Sequence, residues 1–155
     1  MTARIDGENL THADIDTVAR LGTRVAISDN PDRLGRVRGS REVIANAVEK
    51  GEEIYGVTTL FGGMADVHVT RVQLIDVQRI ALWQHKSTTG RRLSEPDVRA
   101  AMLLRANSLM RGASGVRPEL VERLVAFLNA GAAPHVYQRG SIGASGDLVR
   151  FCRTL

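Results

Sequence analysis

Apolar positions in this chain recur mostly at three- and four-residue intervals, the period of helices that bury one face. Thr11 followed by Asp14 is a variant of the capping box and predicts a helix with Ile15, Val18 and Ala19 on its apolar face, ending at Leu21 and Gly22. Ser40 is expected to cap a second helix, with Val43, Ile44, Ala47 and Val48 on its face and Gly51 as its stop. A third pattern spans Val69 to Lys86 through Val72, Ile75, Val77, Ile80, Ala81 and Leu82; it is broad rather than strictly amphipathic, and Thr88-Thr89-Gly90 breaks it. Ser94-Glu95-Pro96-Asp97 starts the next: a Ser cap, Pro in the first turn, and acids where the helix dipole favours them. That helix runs through Leu104 and Asn107 to Met110. Pro118 opens the last, carrying Leu120, Val121, Leu124, Val125 and Leu128 to Gly131. Met1–Leu10 reads as a small strand or extended arm, Val25–Ile27 as a short apolar run and Ser28–Asp32 as a turn. Gly56–Gly63 reads as a loop and Pro134–Gln138 as an extended connector. The sum is an all-α chain, with at most short strands near the N-terminus.

Composition narrows this without changing it. The chain has 155 residues, 43% hydrophobic and 25% charged, enough for one core and not for two large domains. Aromatics are only 4%, so the core rests on Ala, Val, Leu and Ile. The net charge is +4 and the pI about 10.0, but the arginines are dispersed and no basic block with interleaved aromatics marks a nucleic-acid face. No apolar run approaches the ~18 residues of a membrane span. The N-terminus has no signal-peptide core. The single Cys152 excludes an internal disulfide and fits a reducing cytosol, so the chain is expected to be cytoplasmic. No metal site is expected.

Two stretches could carry chemistry. In Gly140-Ser-Ile-Gly-Ala144-Ser145-Gly146-Asp147-Leu148, small residues on both sides of Ala-Ser-Gly let the backbone bend tightly. The Gly146 nitrogen could then attack the Ala144 carbonyl, close a five-membered ring and, with loss of water that includes the Ser145 hydroxyl, leave an exocyclic methylidene. That product is an electrophile, which ordinary side chains do not supply. On spacing alone, a helix-initiating loop capped by Ser145 or Asp147 is the better reading. In Ile54-Tyr55-Gly56-Val57-Thr58-Thr59-Leu60-Phe61-Gly62-Gly63, a Tyr within a Gly-rich loop can approach a ligand. Its reference pKa near ~10 would have to fall for it to act as a base. From this stretch alone, a loop Tyr packing its ring on the core is again the better reading.

Together the two stretches resemble the aromatic amino acid lyase family, the histidine, phenylalanine and tyrosine ammonia-lyases and related aminomutases. The resemblance covers roughly Val37 to Val149 and includes Gln78 followed by His85, Arg105-Ala-Asn107-Ser-Leu109, Gly112-Ala-Ser-Gly115-Val-Arg117-Pro118, and Leu128-Asn129-Ala-Gly131 with Pro134. It implies the N-terminal part of the ammonia-lyase helical fold. It implies that Ala144, Ser145 and Gly146 cyclise without another enzyme to methylidene-imidazolone (MIO), which takes up the amine of an aromatic amino acid substrate. It implies that Tyr55 is the base that removes the β-proton before ammonia is eliminated, and that Asp147 supports the cyclisation. His85 matches a pocket residue that selects the side chain, in even balance with a simple helix-capping role. Leu60, Phe61 and Gly62 would shape the floor of the Tyr55 loop. Thr58 after Tyr-Gly-Val tilts the substrate away from histidine.

There are departures. Leu60 stands where the family usually has Gly, Ile80 where Asn is common, and Gln84-His85 replaces Ser-His. Residues 1–149 read as the N-terminal domain, and Arg150-Phe-Cys-Arg-Thr-Leu155 as a divergent, truncated tail lacking the central bundle. The expectation is a frameshifted piece, inactive alone and without MIO, or one subunit of a split lyase completed by a complementary C-terminal chain. The family's homotetrameric assembly would then build the site. A non-catalytic helical interaction module retaining the motif by descent is the alternative from another class.

Overall fold

Strand β1 (Thr2–Ile5) pairs in parallel with β2 (Arg24–Ile27), with Ala3 opposite Val25 and Ile5 opposite Ile27. The crossover between them is helix α1 (His12–Leu21). Its start is the reciprocal box expected from the sequence: the Asp14 amide donates to Thr11 Oγ1, and the Thr11 amide donates back to the Asp14 carboxylate. The computed structural model describes residues 2–70, 72–84 and 88–140. The chain divides into two units, Met1–Val43 with Leu93–Pro134, and Ile44–Arg92 with His135–Leu155.

In the first unit α1 packs on α4 (Glu95–Leu109), α4 on α5 (Pro118–Asn129), and α5 on β2. Val98, Met102, Leu103, Ala106 and Leu109 of α4 are buried, an apolar face at helical spacing. Val18, Ile5, Val25, Val121, Val125 and Leu128 complete the core. Ser94 caps α4 through the Asp97 amide, with Pro96 in the first turn, as expected. Main-chain polar groups at element ends are met by three side chains. Asn107 Oδ1 accepts from the amides of Asp6 (3.2 Å) and Gly7 (2.9 Å) after β1. Asn129 accepts from the Val25 amide at 2.8 Å and donates to the Val25 carbonyl at 2.9 Å. Arg99, only 4% exposed, donates to Val18 O and Leu128 O, carbonyls in the last turns of α1 and α5.

Helix α2 spans Pro31–Lys50, the last part of which belongs to the second unit. The expectation that Ser40 caps it is corrected. Asn30 Oδ1 accepts from the Asp32 amide at 2.9 Å and Pro31 has its φ preset, so the helix starts ten residues earlier. The Ser40 hydroxyl instead accepts from the Gly115 amide at 2.9 Å. Gly112, at φ +72°, lies so near α2 that a Cβ there would sit 2.7 Å from the Arg36 carbonyl carbon. Only glycine permits that approach.

In the second unit α3 (Leu74–Gln84) is shorter than the pattern from Val69 predicts. The Val69 amide donates to Thr58 O, and the Thr70 hydroxyl and amide both donate to Gln73 Oε1, so the chain turns before the helix begins. Strands β3 (Thr89–Arg92) and β4 (Tyr137–Arg139) form an antiparallel pair with an irregular register. The mainly α class stands, but short strands are not confined to the N-terminus. The Thr88–Gly90 breaker and the Pro134–Gln138 connector each run into one. No helix among the described residues is long and apolar enough to cross a membrane.

The turn after β1 carries an acid-stability signature. Asp6 accepts from the backbone amides of Asn9 and Glu8 and from the Asn9 side chain, which hold its carboxyl down to about 2. A depressed carboxyl contributes stability that is present above its unfolded value near 4 and lost as pH falls through about 2. The thermal-midpoint gap between wild type and Asp6→Asn is therefore expected to be widest above pH ~4 and to close toward pH ~2. A gap unchanged from pH 5 to 2, read by circular dichroism, contradicts this assignment.

Candidate functional site

The described part of the candidate site is the loop between α2 and α3. It begins where Gly51, at φ +72°, ends α2 and the Glu52 amide donates back to Ala47 O. The Ile54 carbonyl then accepts from the amides of Val57, Thr58 and Thr59, winding the segment into a tight turn. Gly56 takes φ +70° in that turn, a conformation that side chains disfavour. The Thr58 hydroxyl accepts from the Ile54 amide at 2.7 Å and donates to Glu52 O at 2.8 Å. Thr58 thus serves the turn itself. Thr59, 4% exposed, pairs with His68 in an isolated bridge, and the Leu60 amide donates to Val67 O at 2.9 Å. His68 Nε2 lies 2.9 Å from the Glu53 carboxylate.

These contacts present Tyr55. Its side chain is exposed, at 62%, rather than packed on the core. Its phenolic oxygen accepts from the Gly62 amide at 2.9 Å, which fixes the ring tip over the start of a short 3₁₀ turn, Gly62–Met64. Leu60 and Phe61 are half-buried beside it in sequence and Gly62 is exposed. The structure therefore brings Gly62 directly onto Tyr55. From α3, Gln78 Nε2 donates to Gly56 O at 3.2 Å. The sequence placed Gln78 in a family motif without assigning it a contact. The polar side chain within the apolar α3 pattern was the available signal.

The remaining candidates, His85, Ala144, Ser145, Gly146 and Asp147, lie outside the described residues, as does the tail 150–155. Among the described residues no cluster of His, Cys, Asp and Glu could hold a metal ion. The loop offers a hydroxyl presented to solvent from a defined backbone. Such a group can exchange a proton with a bound molecule.

Residues 10–154 match the sequence model of the aromatic amino acid lyase family. The chain is 79% identical over 149 residues to an aromatic ammonia-lyase of Loktanella atrilutea, covering 96% of this chain and 27% of that protein. It is 54% identical over 145 residues to a phenylalanine ammonia-lyase of Nostoc punctiforme, covering 94% of this chain and 26% of that one. Its fold matches the crystal structure of a tyrosine aminomutase from Streptomyces globisporus with a TM-score of 0.87 and 31% identity, over 97% of this chain and 28% of that chain. The chain thus spans about a quarter of the length of these relatives.

Proposed function

The chain belongs to the aromatic amino acid lyase family, and from that premise we propose that it supplies the proton-abstracting loop and the electrophile-forming tripeptide of an ammonia-lyase acting on phenylalanine or tyrosine. The observation that carries this reading is the exposed Tyr55 hydroxyl, held by the Gly62 amide on the turn between α2 and α3. The reaction is a non-oxidative elimination. The Tyr55 oxygen, acting as phenolate, accepts the β-proton of the amino acid and becomes the phenol, the Cβ–H electron pair becomes the Cα=Cβ bond, and the C–N bond breaks to release ammonia. Gly62 keeps the ring tip in place while the proton moves. Leu60 and Phe61 border the aromatic side chain, and His85 selects it.

MIO would be formed by Ala144, Ser145 and Gly146 and would supply an electrophile that makes the amino group a better leaving group. The tripeptide's chemistry fits that role: an unhindered glycine nitrogen, a carbonyl two residues back and a β-hydroxyl to lose. Asp147 assists the closure. The names of the Loktanella and Nostoc relatives support an aromatic substrate. Because this chain spans about a quarter of their length, we assign turnover to an assembly with the rest of the family fold, as a complementary chain or within a homotetramer.

The test is a chimera in which this chain replaces the matching segment of the Loktanella enzyme. The expected result is a near-ultraviolet MIO band and release of ammonia with cinnamate from phenylalanine or coumarate from tyrosine, while this chain alone gives neither. A folded chimera that forms no unsaturated acid from phenylalanine, tyrosine or histidine overturns the reading. The likeness to a tyrosine aminomutase favours one second reading, in which ammonia is re-added at Cβ. A β-amino acid as the main product identifies that case.

A further inference from the structure

We propose that Gln78 is a positioning residue for Tyr55, acting through the Gly56 carbonyl; this rests on the reading of Tyr55 as the base. Tyr55 sits at the bend of a turn whose other bonds stay within the loop or reach only the segment before α3: the Ile54 carbonyl gathers the next amides, Thr58 closes on Ile54 and Glu52, and the Thr58 carbonyl accepts from the Val69 amide. None of those bonds reaches α3 itself. Gly56, next to Tyr55 and at φ +70°, has no side chain with which to anchor the bend. Gln78 reaches that carbonyl with a donated N–H at 3.2 Å, across 22 residues of sequence.

The ring tip is tied separately, by Gly62. Tyr55 is thus held at two points, its oxygen by one amide and the adjacent peptide by another. The two ties have different consequences. Gly62 orients the phenol within the loop, whereas Gln78 fixes the loop to α3. A base must hold its oxygen within hydrogen-bond reach of the proton it takes, and a shift of about 1 Å costs rate steeply. A methionine at position 78 would keep the length of the side chain and remove the donor. Gln78 is exposed, so the change leaves no buried group without a partner.

The experiment is a double-mutant cycle in the chimera, with Gln78→Met and Tyr55→Phe. Gln78→Met alone is expected to lower kcat about 10-fold, equivalent to ~1.4 kcal/mol, with KM within about 2-fold. In the Tyr55→Phe background the same change is expected to have no further effect, because there is no base left to misplace. Hydrogen exchange of the 54–62 amides should quicken in Gln78→Met while those of α4 stay unchanged. A purely structural role would slow both backgrounds equally, and that additivity overturns the proposal. So does a Gln78→Met enzyme within 2-fold of wild type while Tyr55→Phe is slow. Full activity in Tyr55→Phe fails the base reading itself, and the proposal with it.

Discussion

Tyr55→Phe in the chimera is expected to lower kcat by about 10²–10⁴ while the near-ultraviolet band and the thermal midpoint hold. That range is what a positioned general base contributes, ~3–5.5 kcal/mol of barrier. The stability side is much smaller. The phenol is exposed at 62%, and the oxygen removed accepts from the Gly62 amide at the surface, where water can take its place. An exposed bond of that kind is worth about 1 kcal/mol or less. Chemistry and folding therefore separate by several-fold in energy at this one residue. Retention of the band shows that the tripeptide has still closed, so the loss belongs to proton transfer. A kcat within 3-fold of wild type removes Tyr55 from the role.

Arg99→Leu is expected to destabilise the first unit by about 3 kcal/mol, a fall in thermal midpoint of roughly 12–24 °C for a unit of this size. Two effects oppose each other here. Removing a buried cation relieves its desolvation, which favours the variant. Against this, Val18 O and Leu128 O lose the N–H donors that reach them at 3.0–3.2 Å. Both lie at helix C-termini, where a cation is also favoured by the dipole, by up to ~2 kcal/mol when partly buried. The carbonyl side wins because Arg99 is 4% exposed and water does not readily replace the guanidinium. Arg99→Lys keeps the charge but has no planar fork to span two helix ends, so an intermediate loss is expected. A midpoint within 3 °C of wild type for Arg99→Leu, with unchanged hydrogen exchange at the ends of α1 and α5, counts against the assignment.

Three helix starts were legible because their causes lie within one turn. Thr11 acts on Asp14 and Ser94 on Asp97, three positions on, and Pro118 acts through its own preset φ. Tyr55 was legible as a candidate from its glycine-rich setting, and the tripeptide from the chemistry of three adjacent residues. Family membership followed from motifs in order. What went wrong involved distant partners. Ser40 looks like a cap until its hydroxyl is found on the Gly115 amide, 75 positions away. Val69 looks helical until its amide is found on Thr58. Thr88–Gly90 looks like a breaker and Pro134–Gln138 like a connector, because Thr89–Arg92 and Tyr137–Arg139 become strands only by pairing with each other.

The sequence by itself determined the local preferences: which segments coil, where the three locally capped helices begin, and which residues resemble the family's motifs. These depend on side-chain shape, backbone freedom and neighbours along the chain. Tertiary structure alone decided that Asn107, Asn129 and Arg99 spend their polar groups on main-chain atoms of other elements. It also set Gly62 on the Tyr55 oxygen and Gln78 on the carbonyl beside it. A hydrogen bond between distant residues leaves no periodic trace in sequence, because it requires only that two groups arrive at the same place.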